Sequence, residues 1–139
     1  MDLETARTIV AAARAHGQEA GLKPLTVVVL DPGGHVVAAE REDGASIGRF
    51  EIGFGKAYGA LALGQGSRAT MARAEQQAYF VGAAGAAIGG ALVPVPGGVL
   101  VQDGDRLVGA VGITGDTSDH DEAAAVAGIE AAGLTARVD

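Results

Sequence analysis

The sequence predicts an α+β sandwich in which a mainly antiparallel sheet lies between helices. Two observations carry this. Two pairs of β-rich runs, each joined by a short Gly-containing turn, read as antiparallel hairpins, and segments with helical periodicity flank them at both ends. The order is helix, hairpin, helices, hairpin, helix, with no internal repeat of fixed period. A chain of 139 residues suits one domain, 1–139. At that size folding buries roughly two thirds of the unfolded surface, so no staple is needed.

Leu3, Ala6, Ile9, Val10 and Ala13 recur on a helical period, with Gly17 or Gly21 as stop signals, and predict an amphipathic first helix. "PLTVVVLD" is apolar except for Thr26, and "HVVAAER" follows after Pro32, Gly33 and Gly34. Pro presets one turn dihedral and Gly permits positive φ, so the two runs form the first hairpin. From Ile47 to about Gly64 apolar residues fall at helical spacing among Gly48, Gly53, Gly55 and Gly59. Each interior glycine costs up to about 1 kcal/mol relative to alanine. Their number points to another backbone or a ligand lying close. "SRATMARAEQQ" predicts a short helix capped by Ser67 or Thr70, and "YFVGAAGAAIGGALVPVPGG" a short helix followed by extended chain. "GVLVQ", the turn Asp103-Gly104-Asp105 and "RLVGAVGIT" form the second hairpin, and a capped helix from about Ser118 to Ala132 closes the chain.

Hydrophobic residues make up 48% of the chain but aromatics only 4%, so elements must approach through small side chains, which suits tight helix and subunit packing. Without cysteine there is no disulfide, thiolate metal site or cysteine nucleophile, and any metal would need His, Asp or Glu. The net charge of −7, with Arg residues scattered rather than clustered, argues against nucleic acid as a partner. "MDLETARTIVAAARAHGQEAG" carries acids where a secretory peptide needs basic residues. No apolar run approaches about 18 residues. The expectation is a cytoplasmic protein without membrane spans.

"GITGDTSDHDEA", Gly112 to Ala123, concentrates four acids, a histidine and three hydroxyls after an apolar strand. Ser118 or Asp119 can cap the last helix, with Asp121 or Glu122 returning a bond as a capping box. Acids there also favour the positive end of the helix dipole. The glycine and terminal glutamate of an EF-hand loop are missing, and no metal site is predicted. Asp121 and Glu122, being adjacent, point to different sides of the helix, so one can cap while the other faces a pocket.

Lys56 sits among apolar and glycine residues in "FGKAYG". A buried ammonium has a lowered pKa unless paired, and serves either as acid, base or carboxylate anchor, or as one half of a structural ion pair with Asp31, Asp43 or Glu122. Either role predicts that Lys56 is not simply solvated. In "VPGGV", Gly97 and Gly98 offer backbone N–H groups for a carboxylate, or simply a tight lead into a strand. "REDGA" places Arg41 and Asp43 in a turn or at a charged pocket rim, where Arg41 can grip a carboxylate bidentately.

Four ordered stretches, "VVVLDPGGHVVAAEREDGA", "GKAYGALALG", "LVPVPGGVLV" and "LVGAVGITGDTSDHDEAAAVAGI", resemble the GlcG/HbpS family of heme-degrading or heme-binding domains, found also as the C-terminal domain of PduO-type proteins. They cover nearly the whole chain. The resemblance implies a profilin-like five-stranded, mainly antiparallel sheet with flanking helices, assembled into dimers or larger homo-oligomers, and association with heme or corrinoid. It places Asp121 and Glu122 on the family's Asp-Glu pair after the Gly-x-x-Gly strand end, here Gly112 and Gly115. Lys56 falls on its Gly-Lys-Ala-Tyr block, and Asp43 on a family-like Asp-Gly-Ala.

Heme ligation needs an axial donor, for which His16, His35 and His120 are the histidine choices beside Tyr58, Tyr79 and Met71. The absence of Cys-x-x-Cys-His excludes covalent attachment. The leading expectation is therefore a cytosolic homo-oligomer binding a heme-like or corrinoid tetrapyrrole at a surface or subunit-interface groove. The alternative is a metal-independent lyase- or isomerase-type enzyme acting on a small carboxylate or carbonyl substrate. There Lys56 with Asp121 or Glu122 would be the acid/base pair, and Arg41 and the Gly97 and Gly98 amides would hold the substrate. A scaffold oligomer with a vestigial site is the third reading.

Overall fold

The computed structural model describes all residues, 1–139. In chain order it contains α1 (Leu3–Glu19), β1 (Thr26–Leu30), β2 (Val36–Arg41), α2 (Arg49–Leu63), α3 (Ser67–Gln76), α4 (Ala78–Ala87), β3 (Gly98–Asp103), β4 (Arg106–Thr114), α5 (Ser118–Ala131) and β5 (Thr135–Arg137). The five strands form one sheet in the order β2-β1-β4-β3-β5, and every neighbouring pair is antiparallel. The predicted α+β class and the five-stranded antiparallel sheet with flanking helices are what the chain adopts. No helix is long and apolar enough to cross a membrane.

Both hairpins form, but the sheet pairs them through β1 and β4, whose registers run from Thr26 opposite Thr114 to Leu30 opposite Ala110. These two strands are central, which explains why "TVVVL" is fully buried and does not alternate in polarity. Its side chains still alternate in direction. Val27 and Val29 join α1 and α5 in the larger core, with Ile9, Val111, Ile113 and Ile129, while Val28 and Leu30 face α2, with Ala57, Ala60, Leu100 and Ala110. The sheet thus separates two helical layers.

Small residues set the distance between those layers. A Cβ on Gly112 would overlap the carbonyl oxygen of Gly53, so α2 crosses β4 backbone to backbone. This is the close approach that the run of glycines in α2 predicts. Two cap expectations need correction. The N-cap of α3 is Gly66, with no side-chain bond, and Ser67 is spent elsewhere. The N-cap of α5 is Thr117, whose hydroxyl accepts from the His120 N–H at 3.3 Å, rather than Ser118 or Asp119.

Replacing Gly112 by alanine should destabilise the fold by about 3 kcal/mol, because neither backbone can yield freely. Gly82, on the exposed side of α4, has open space where a Cβ would stand, with no atom within 4 Å, so Gly82→Ala should be neutral or stabilise by up to about 1 kcal/mol. Chemical denaturation of the two variants measures the contrast, and equal midpoints would refute the contact.

Candidate functional site

Lys56 is 2% exposed, among the least accessible large side chains of the molecule. It starts from the sheet-facing side of α2 and runs past the end of β4 to the first turn of α5. Its Nζ donates to the Ile113 carbonyl at 2.9 Å and to Asp121 Oδ2 at 3.0 Å. Asp121 is equally hidden, and its Oδ1 accepts the Asp116 N–H at 3.0 Å. Burial lowers the Lys56 pKa, with the Asp121 carboxylate acting in the opposite direction and the Arg49 charge adding to the fall. Burial likewise raises Asp121, and Lys56 again opposes it. Desolvation therefore biases both groups toward neutrality while contact holds them as a pair. The prediction that Lys56 is not solvated is met. Its partner is Asp121, not Asp31, Asp43 or Glu122 as a structural pair would have had it.

Glu122 points away from this pair, as adjacent helical residues must. It accepts from Arg68 Nε at 2.9 Å, and Arg68 Nη2 also reaches Asp119 Oδ1 at 2.5 Å. Arg68, on α3, thereby ties the α3 layer to the start of α5. Asp116 completes the segment. Its carboxylate accepts the Lys23 and Thr117 N–H groups at 2.9 and 2.8 Å and contacts His120 Nδ1 at 2.7 Å, interactions that hold its pKa well below the usual carboxylate range. The acids of "GDTSDHDEA" are thus distributed among a buried lysine, a surface arginine and the backbone of a turn.

Gly97 and Gly98 flank the same lysine. A Cβ on Gly97 would lie 2.8 Å from Lys56 Nζ, and one on Gly98 would overlap the Lys56 carbonyl oxygen. The Gly98 N–H donates to Ser67 Oγ at 2.7 Å, so this amide is not free to hold a carboxylate. The glycines here make room for Lys56 and lead into β3. Ser67 and Arg68 were not legible as site residues, since nothing in "SRAT" announces partners on β3 and α5 that are distant in sequence.

The remaining candidates lie apart. Arg41 ends the edge strand β2 opposite Thr26, three strand spacings from Gly98 on β3, about 14 Å. Asp43 lines a polar cavity of about 300 Å³ with Arg14, Gln18 and Glu42. His16 lies in the last turn of α1, half-buried, and its ring makes no hydrogen bond within the chain. His35 is 82% exposed, with Nδ1 3.3 Å from Asp31 Oδ1. His120 is 58% exposed against Asp116. Tyr79 is exposed, whereas Tyr58 is half-buried and stacks on Phe54 at 5.4 Å, extending a Phe50–Phe54–Tyr58 row along α2. Lys56, Asp121 and Glu122 line none of the four cavities.

An open antiparallel sheet with helices on both faces and a lysine–carboxylate clamp at the end of β4 defines the architecture. The chain belongs to the family described as haem degrading protein HbpS-like, whose model matches residues 1–130. Among solved structures it is similar to a PduOC:heme complex, with a TM-score of 0.88 and 21% identity over 99% of this chain and 98% of that one. It is similar also to the Klebsiella pneumoniae protein ORFY, with a TM-score of 0.83 and 22% identity over 96% of this chain and 90% of that one. HbpS itself matches with a TM-score of 0.78 and 26% identity over 92% of this chain and 86% of that one. No curated protein matches the sequence.

Lys56→Met should destabilise by about 3–5 kcal/mol, because it leaves Asp121 buried without its cation. The double variant Lys56→Met/Asp121→Leu should recover part of that loss in the same urea titration. A single variant as stable as the wild type would refute the clamp. Asp116 supplies a pH test. Its folded pKa lies below its unfolded value of about 4, so its stabilisation is complete above about pH 5 and is lost progressively as pH falls from there through the folded pKa. Asp116→Asn should therefore flatten the loss of stability between pH 5 and about pH 2 in denaturant titrations.

Proposed function

We propose that this chain acts as one domain of a cytoplasmic homo-oligomer that binds a heme-like tetrapyrrole without covalent attachment, at a surface or inter-subunit groove. The observation that carries the reading is membership of the haem degrading HbpS-like family over residues 1–130, supported by the fold shared with the PduOC:heme complex. Corrinoid is the second tetrapyrrole of this reading.

The donor set fits such a ligand. His35 and His120 have Nδ1 against Asp31 and Asp116, leaving Nε2 outward, the arrangement in which a carboxylate orients a ligating imidazole. His16 has a ring without an intrachain partner. Aromatic surface is available on α2, where Phe50 is 40% exposed and Tyr58 lines a cavity of about 130 Å³ with Pro32, Leu61 and Ala62, next to His35. The bound group would supply a redox-active iron; a histidine of this chain would hold it through a ring nitrogen, and the apolar surface of α2 would seat the macrocycle. The largest cavity, about 300 Å³, is lined mostly by polar residues, so a macrocycle needs an open surface or a second copy to cover it. Helix α4 supports the latter, since it carries Tyr79, Phe80, Val81 and alanines yet buries only Val81.

The acid/base alternative draws support from the burial that biases Lys56 and Asp121 toward their neutral forms. Neither residue lines a cavity, so substrate access would require α5 to leave the sheet.

Titration with hemin, followed by the Soret band and by light-scattering mass, tests the reading. Saturation at a simple ratio per subunit, with a mass above the 13.7 kDa of one chain, is expected. Of His16→Ala, His35→Ala and His120→Ala, one should abolish the defined spectrum. An unsaturable, featureless response would overturn tetrapyrrole binding.

A further inference from the structure

A cleft of about 200 Å³ opens where the start of α2 meets the β4–α5 turn, and Lys23, Pro24, Gly44, Ser46, Arg49 and Gly115 line it. No carboxylate lines it. The chain has 17 acidic residues against 10 Lys and Arg, and four of its arginines, Arg14, Arg68, Arg106 and Arg137, pair with carboxylates, whereas Arg49 does not although it is half-buried.

Arg49 is half-buried, yet its guanidinium has only neutral partners. Nε donates to Ser46 Oγ at 3.1 Å and Nη1 to Thr114 Oγ1 at 2.8 Å. A partly desolvated cation held only by hydroxyls lacks the counter-charge that normally offsets its burial. Its remaining Nη1 and Nη2 N–H groups form the planar fork that matches a carboxylate. The Lys23 ammonium makes no ion pair, and its residue is exposed beside the cleft. The nearest acid on the turn, Asp116, is already engaged by Lys23 N–H, Thr117 N–H and His120. Ser46 Oγ accepts from Arg49 and retains its own proton to donate. A volume of about 200 Å³ lies below the range of drug-sized pockets, so the cleft suits one small anionic group.

We propose that this cleft is a carboxylate seat, in which Arg49 forks the anion, Ser46 donates to it and Lys23 closes over it. The carboxylate belongs either to a small free acid or to an acidic side arm of a tetrapyrrole lying on the adjoining surface. The seat does not depend on tetrapyrrole binding.

The test is an amide-resolved NMR titration of the full chain with sodium acetate at constant ionic strength, against sodium chloride as control. Saturable shifts confined to Lys23, Ser46, Arg49 and Gly115 are expected with acetate alone. Binding should weaken about tenfold or more in Arg49→Gln, and several-fold in Lys23→Gln. Lys23 is exposed, so its variant keeps the test valid if Arg49→Gln perturbs the fold. Shifts that chloride reproduces, or that survive unchanged in both variants, overturn the seat, as does the absence of saturation. Hemin and its dimethyl ester then separate the sources. If the side arm is the ligand, esterification and Lys23→Gln weaken hemin binding alike, and acetate competes with hemin. If a free acid is the ligand, the variants lose acetate while hemin binding is unaffected. A protein that binds acetate but not hemin supports the seat and overturns the tetrapyrrole reading alone.

Discussion

The buried contact between Lys56 and Asp121 joins the two helical layers of this protein. Lys56 belongs to α2, on one face of the sheet, and Asp121 to α5, whose apolar side chains join the core on the other face. The ammonium bridges them around the end of β4 through the Ile113 carbonyl. Apolar packing is non-directional and would tolerate some sliding of either helix. Two charges at 3.0 Å inside the protein do not, because displacement leaves each desolvated and uncompensated. The start of α5, the path of the β3 lead-in over Gly97 and Gly98 and the seating of α2 all meet at this contact.

Close backbone approach makes the contact geometrically possible. Gly112 against Gly53, and Gly98 against Lys56, let α2 lie nearer the sheet than bulky side chains would permit. The same economy of side-chain volume explains a core with few aromatics, built from Val, Ile, Leu and Ala. The aromatics lie along α2 and α4, where Phe54 and Tyr58 pack against the rim of the smaller core while Phe50 and Tyr79 are exposed. Ile and Leu fill the interior, and the exposed large apolar side chains include Phe50 and Tyr79 on these two helices.

Electrostatics follows the same division. At the start of α5 the acids are matched one by one, Asp121 by Lys56, Glu122 and Asp119 by Arg68, and Asp116 by backbone N–H groups and His120. Capping and pairing thus absorb a segment that otherwise looks like a metal or acid/base centre. A few residues away, beside the same turn, Lys23 and Arg49 have no such match. Local charge balance, rather than the net charge of −7, distinguishes the two neighbourhoods.

Local chemistry made much of the fold legible. The Asp-Pro-Gly-Gly and Asp-Gly-Asp turns located both hairpins, and glycines within an apolar helical pattern signalled the close approach of α2, because turn dihedrals and the missing Cβ are properties of the residues themselves. The unbroken apolar run of β1 marked a strand, although only the sheet order revealed why it carries no polar face. Strand β5, "TAR", has neither length nor alternation to announce it; it exists because the β3 edge offers unpaired backbone groups. The fifth strand was thus implied by family resemblance and not by pattern. At the site, the sequence by itself determined that Lys56 must be shielded, since its neighbours are small and apolar. Only the tertiary structure decided that Asp121, 65 residues away, shields it, that Ser67 takes the Gly98 amide, and that Arg41 and Asp43 stand elsewhere. Ion-pair partners are chosen by distance in space, and that distance is set by the packing of the whole sheet rather than by any stretch of chain.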